Sequence, residues 1–214
     1  MPIILTGSDT INYGTLKSTI ATWLNRSDLT TYIPDFVRFA EQRIHYGGAD
    51  PYKSPPLRIP AMQVRTTGTI SSGRIDLPEN MVEIQRISVS VGGVNGELNY
   101  VSPQAYAELS NSQATPTVYT FADNAILTAG TGSADYTLDY YEKFTGLLVD
   151  TDTNWLLTNA PTVYLYGALV ETAPFLYDDP RFQMWIGMYR SAVAALNRSA
   201  LRPAAGSLAV RVVK

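Results

Sequence analysis

The sequence predicts an α+β protein. An antiparallel helical bundle is formed by N- and C-terminal helix pairs, with an inserted antiparallel β-sheet or sandwich domain and an extended C-terminal arm. Three observations predict this. Apolar residues recur at helical spacing over the first fifty residues and again after residue 161, and at strand spacing between about 58 and 146. The stretch GGADPYKSPPLRIP, which cannot continue a helix, stands at the first change of period. The end, RPAAGSLAVRVVK, couples Pro and Gly to a Val-rich run. The expected organisation is residues 1–57 for the first helix pair, 58–150 for the β domain, 151–202 for the second pair and 203–214 for the arm.

The first helix lies within TLKSTIATWLN, where Leu16, Ile20, Trp23 and Leu24 share a side. The second begins between Thr31 and Pro34, where a proline is harmless because the first turn has no intrahelical partner for its N–H groups. Ile33, Phe36, Val37, Ala40 and Ile44 form its apolar stripe; Asp35, Arg38, Glu41 and Gln42 lie off it, and Gly47-Gly48 ends it. RIDLP is a short strand, and Ile87, Val89 and Val91 alternate in the next. Asn95-Gly96 is the expected hairpin turn, with Leu98 and Tyr100 on the return. PQAYAEL reads as a short helix; TVYTFA, AILTA and ADYTLDYYEKF read as strands, the last with Tyr136, Leu138 and Tyr140 on one face. Pro161 opens a helix that is apolar nearly all round and therefore buried on more than one side, and Pro174 breaks it. Asp178 or Asp179 caps the last helix before Pro180, and Phe182, Trp185, Tyr189, Val193 and Leu196 make its core stripe.

Charged residues are only 16% of the chain, against about 25% in ordinary soluble domains, and there are 14 tyrosines. Tyrosine buries a ring while keeping a polar tip, so this balance implies a surface covered by partners. With no cysteine and one histidine, the chain has no disulfide, no thiolate zinc site and no multi-histidine metal site. No apolar run is long enough to span a membrane, and MPIILTGSDT lacks the features of a secretion signal. Between Pro180 and Lys214 lie six basic residues and no acidic one, so the first 179 residues carry a net charge of −9. The basic end complements its own helix dipole, docks on an acidic partner, or does both.

Three constellations imitate catalytic or metal chemistry. Asp150, Asp152 and Asn154 resemble the start of a calcium loop, but Trp155 and Pro161 replace its glycine and its bidentate glutamate. Turn and cap roles fit them better. Asp135 and Asp139 share a strand face, yet four residues along a strand span roughly 13 Å, too far for a glycosidase pair. Glu41 and His45 lie one helical turn apart with no nucleophile motif nearby. The chain is read as a self-associating structural part, not an enzyme, with no cofactor.

Several segments then carry a resemblance. W-L-N-R-x-D-L runs from Trp23 to Leu29, and I-P-x-F-x-x-x-A-E-x-R-I from Ile33 to Ile44. Leu77-Pro78 precedes a long strand, and a tyrosine-rich strand ends in DYYEKF. N-W-L-L…P-x-x-Y-L-Y-G-A-L-x-E-x-A-x-x-L-x-D-D-x-R runs from Asn154 to Arg181. In this order they resemble the head–tail adaptor proteins of short-tailed bacteriophages, the tail tubular protein A type. The resemblance implies a homo-oligomeric, twelvefold ring at the head–tail junction of the virion, made in the host bacterial cytoplasm. Its partners would be portal protein, tail nozzle protein and genomic double-stranded DNA, which passes through without sequence-specific binding. The subunit interface is expected at Asp35, Arg38, Gln42, Tyr164 and Tyr166. Portal docking is expected at Leu201, Arg202, Leu208, Val210, Arg211, Val212 and Lys214, as an added extended segment. The competing readings are another virion part, for tail completion or capsid stabilisation, and a carbohydrate-binding module on the β region.

Overall fold

Asn12 starts the first helix with a reciprocal cap: its Oδ1 accepts from the Thr15 N–H at 2.9 Å, and Thr15 Oγ1 accepts from the Asn12 N–H at 3.0 Å. The computed structural model describes residues 11–49, 53–109, 115–130, 133–176 and 180–205. Helix α1 (Tyr13–Leu24) buries Leu16, Ile20 and Leu24, one turn apart, and stops at Asn25 in the left-handed region. Helix α2 (Ile33–Tyr46) carries Pro34 in its first turn and buries Ile33, Phe36, Val37, Ala40, Ile44 and His45. It stops at Gly47, where φ is +82° and a Cβ would sit 2.8 Å from the Ser54 carbonyl oxygen. Only glycine meets both demands.

The strands follow: β1 (Gln63–Thr69), β2 (Arg74–Asp76), β3 (Met81–Val91), β4 (Val94–Glu97) and β5 (Asn99–Tyr100). Helix α3 (Pro103–Leu109) comes next, then β6 (Val118–Ala122), β7 (Ala125–Thr128) and β8 (Asp135–Glu142). They form two four-stranded sheets among the described residues, ordered β1-β8-β3-β4 and β2-β7-β6-β5. Ile87, Val89, Leu138 and Tyr140 from the first sheet share one core with Ile75 and Ile126 from the second. Residues 62–143 are one compact unit.

Three features differ from the sequence expectation. The β3–β4 turn is Gly92-Gly93, not Asn95-Gly96, with φ of +58° and +83°. Two glycines accept positive φ at both central positions without a Cβ penalty, so they outcompete the Asn-Gly pair three residues on. Asn95 and Gly96 then lie within β4, opposite Ser90 and Val89. Leu98 is buried between β4 and β5, and the chain passes from one sheet to the other there, so Tyr100 does not return along β3. Nor is the β region wholly antiparallel: β5 pairs with β6 in parallel, the two being joined through α3 as a parallel pair requires. Strand β1 was not expected, since QVRTTGT has one strong apolar residue. It is held by backbone pairing to β8, and the Tyr136 ring fills the space above Gly68, within 2.9 Å of where a Cβ would be.

The other compact unit joins residues 1–61 to 144–214. After β8 come α4 (Trp155–Asn159), α5 (Pro161–Glu171) and α6 (Arg181–Ala205). Asn154 caps α4 through the Leu157 N–H at 2.9 Å. Helix α5 buries seven of its eleven residues and packs against α1, α2, α4 and α6. It ends at Thr172, and Pro174 falls in a single 3-10 turn. Phe182, Trp185, Tyr189 and Val193 are the buried stripe of α6. Asp178 and Asp179, the expected caps, lie outside the described residues. The arm is corrected at its start: α6 runs through Pro203 to Ala205. Near a helix end a proline forfeits one backbone bond, and its fixed φ is already helical.

The turn position is testable. Gly93→Ala places a side chain at φ +83° and is expected to lower stability by about 1 kcal/mol in urea titration, whereas Gly96→Ala, with open space and no positive φ, leaves the midpoint unchanged or slightly raised.

Candidate functional site

The polar side of α2 is not uniformly polar. Asp35, Arg38 and Gln42 are exposed, and so are Phe39 at 47% and Tyr46 at 58%. Tyr32, the residue before the helix, is 45% exposed. Tyr32, Phe39 and Tyr46 are seven residues apart, with Asp35 and Gln42 between them at steps of three and four. A straight helix drifts only about 20° per seven residues, so this is one stripe. Its N-terminal end is anchored: the Phe175 ring, itself exposed, lies 5.3 Å from Tyr32 and 5.2 Å, edge-on, from the buried Phe36. Asp35 and Arg38 approach to 3.9 Å, and both are more than half exposed. Such a pair contributes little to stability.

Sequence reasoning named Asp35, Arg38 and Gln42, which are exposed, but not the exposed aromatics Tyr32, Phe39 and Tyr46 beside them. The seven-residue spacing of 32, 39 and 46 was the available signal. It was hidden because the stronger stripe of the same helix, facing the core, was already explained.

Of the two tyrosines expected at an interface, Tyr164 is interior. It is 1% exposed, accepts from Asn154 Nδ2 at 2.8 Å and reaches Glu41 Oε1 at 3.4 Å. Burial pushes its phenol well above the ordinary range, with the Glu41 charge adding to the effect. It has no ring surface left for a neighbour. Tyr166 is half-buried and meets Trp23 edge-on at 5.9 Å. Leu201 and Arg202 fall in the last turns of α6. Leu208, Val210, Arg211, Val212 and Lys214 lie outside the described residues.

The imitations of chemistry resolve into structural roles. Asp152 Oδ2 accepts from the Leu148 and Val149 N–H groups at 2.7 and 2.8 Å, which holds its carboxyl below the usual range. Asp150 pairs with Lys17 at 2.6 Å, and Asn154 is the α4 cap. Asp139 is gripped by Arg65 and Arg86, and the Arg65 hydrogen bond foremost keeps its carboxyl below the usual range, the opposite of what a general acid needs. His45 is 5% exposed, and its Nε2 accepts from the Phe144 N–H at 3.1 Å. Glu41 turns instead to the Leu147 N–H and the Tyr164 hydroxyl. Among the described residues no three acids or histidines are grouped to hold a metal ion, and no helix is long and apolar enough to cross a membrane.

On the β unit, Tyr100, Tyr119 and Phe121 form a ring cluster at the β5 edge, with centroids 5.7 to 6.0 Å apart. Tyr119 meets its two neighbours at 67° and 87°. Rings set edge to face offer no flat platform for a sugar, so the carbohydrate reading gains nothing from them.

Against known proteins, the family model described as SU10 adaptor protein matches residues 11–211, nearly the whole chain. No curated protein matches.

Burial raises the Glu41 carboxyl above its ordinary range, so its ionised form opposes folding at neutral pH. That penalty is relieved as pH falls through the raised value. Glu41→Gln keeps an acceptor for Leu147 and Tyr164 without the charge. The variant is expected to be as stable as the parent or more so at pH 7, with the difference shrinking as pH falls into the carboxylate range, read by thermal melting across pH.

Proposed function

Since the chain belongs to the SU10 adaptor protein family, we infer that it is a structural adaptor of a bacteriophage particle, working as a ring between portal and tail nozzle at the head–tail junction. The family match over residues 11–211 carries this reading. The twelvefold number comes from the resemblance to tail tubular adaptors. Each subunit of a closed ring is covered by its two neighbours through heterologous contacts. A chain with 16% charge and an exposed aromatic stripe beside Asp35, Arg38 and Gln42 is suited to that covering. Aromatic residues that become fully buried are the usual centres of interface energy.

DNA transit asks for weak contact. Phosphate affinity grows with the number of phosphates neutralised by Lys and Arg. The first 179 residues carry a net charge of −9, so a channel built from them lets the duplex slide. The basic C-terminal stretch is the exception. It is assigned to the portal, with Leu201 and Arg202 at the end of α6, Leu208, Val210 and Val212 as alternate apolar anchors, and Arg211 and Lys214 as the charges among them.

Electron microscopy of the protein mixed with portal protein is expected to show a second ring stacked on the portal; particles without it would refute the role. In the same assay the pair Phe39→Ser and Tyr46→Ser is expected to fold normally and to lose ring closure. Two aromatic anchors at about 2 kcal/mol each correspond to roughly a thousandfold loss in contact affinity. Removal of residues 206–214 is expected to leave α6 and the fold intact and to abolish capture by portal in a pull-down.

A further inference from the structure

The outer face of the first sheet carries one arrangement that neither the core nor the adaptor role explains. Asp139, on β8, lies directly opposite Arg65 on β1 and Arg86 on β3. Its Oδ1 accepts from Arg65 Nε at 2.6 Å, and its Oδ2 accepts from Arg65 Nη2 at 3.2 Å and from Arg86 Nη2 and Nε at 2.9 and 3.3 Å. The carboxylate is the floor, with 15% of its side chain exposed, and the guanidinium groups are the rim, 64% and 47% exposed. Neither Nη1 has a partner among the described residues. The rim encloses a depression of about 470 Å³ that Gln63 and Gln85 also line.

The backbone is shaped to produce this. Ile84 pairs with Tyr140 and Arg86 with Asp139, so Gln85 is an extra residue in β3. A bulge puts two successive side chains toward one side, and here Gln85 and Arg86 are both exposed. Stapling the strands needs one ion pair, and exposed pairs add little. A second guanidinium brought beside the first leaves an excess positive charge and an open set of forked donors, the geometry that binds carboxylates bidentately.

We propose that Arg65 and Arg86, held by Asp139 and flanked by Gln63 and Gln85, form a docking site for a single carboxylate side chain on an otherwise uncharged segment of a partner protein. Charge selects the occupant. Residues 62–143 hold four basic and nine acidic side chains, and Arg74 is paired with Asp76. A polyanion such as DNA meets repulsion from the rest of the unit at every phosphate within a Debye length of about 8 Å, whereas a segment with one carboxylate places its single charge at the two guanidinium groups and brings no others near the acidic surface. The site goes beyond the adaptor reading and does not need a ring to form.

The test uses the full chain and a rhodamine-labelled ten-residue Gly/Ser peptide carrying one central Glu, followed by fluorescence anisotropy at low salt. Saturable binding is expected, about tenfold weaker in the double variant Arg65→Gln, Arg86→Gln and within twofold of the parent in Arg74→Gln. If the double variant melts early, Arg86→Lys keeps the charge without the fork and is expected to weaken binding severalfold. Absence of peptide binding, binding undiminished in these variants, or a twelve-base-pair duplex bound more tightly than the peptide through the same arginines would each overturn the proposal.

Discussion

The helical unit depends on how closely two helices can approach a third. Helix α5 packs against α1, α2, α4 and α6, and the approach is closest at Gly167. A Cβ there would lie 3.1 Å from the Ala40 Cβ of α2 and 3.3 Å from the Tyr189 ring of α6. Ala40 and Tyr189 are both fully buried. Glycine inside a helix costs roughly 1 kcal/mol of propensity relative to alanine, and here that is offset by dispersion contacts from both flanking helices. The Arg43–Glu171 pair, at 2.5 Å and mostly buried, fixes the register of α2 on α5 one turn further along. Removing Arg43 would leave the mostly buried Glu171 charge without this partner, so the pair enforces alignment more than it adds stability.

Much of this was legible. Leu16, Ile20 and Leu24, the Phe36-to-Ile44 stripe and the Phe182-to-Val193 stripe all repeat at helical spacing and are all buried, because periodicity states directly which side of a helix is covered. The all-round apolarity of residues 163–170 announced a helix buried on several sides. Less legible was anything decided by competition between distant parts. Gly92-Gly93 and Asn95-Gly96 are both good turns locally, and only the first puts Leu98 into the core. Strand β1 has almost no signal of its own, since its place is set by pairing to β8. The partnership of Arg65, Asp139 and Arg86 unites residues up to 74 apart in sequence through a one-residue bulge, which no spacing rule anticipates.

The shortage of charge, read at first as a sign of covered surface, has a more specific form in the structure. Large apolar side chains are exposed in groups: Tyr32, Phe39, Tyr46 and Phe175 on the helical unit, and Tyr100 with Phe121 on the β unit. Singly exposed apolar residues are ordinary, but grouped ones mark contact surfaces. Many of the charges that remain are paired within the chain, as with Lys17 to Asp150, Arg43 to Glu171 and Arg74 to Asp76.

The segment from Ile33 to Ile44 joins these levels. Its fixed letters are all occupied in holding the fold. Ile33, Phe36 and Ile44 are core, Pro34 opens the helix, and Ala40 makes room for Gly167. Glu41 accepts from Leu147 and Tyr164, Arg43 pairs with Glu171, and the Ile44 carbonyl accepts from the Leu57 N–H. Four of its five free letters, Asp35, Arg38, Phe39 and Gln42, are the exposed positions of the stripe. The pattern that carries the family resemblance is therefore a pattern of architecture, and the residues it leaves open are the ones the fold leaves exposed. A helix so tightly specified on one side gives the other side a rigid base, and rigid presentation of aromatic anchors lowers the ordering entropy that association must overcome.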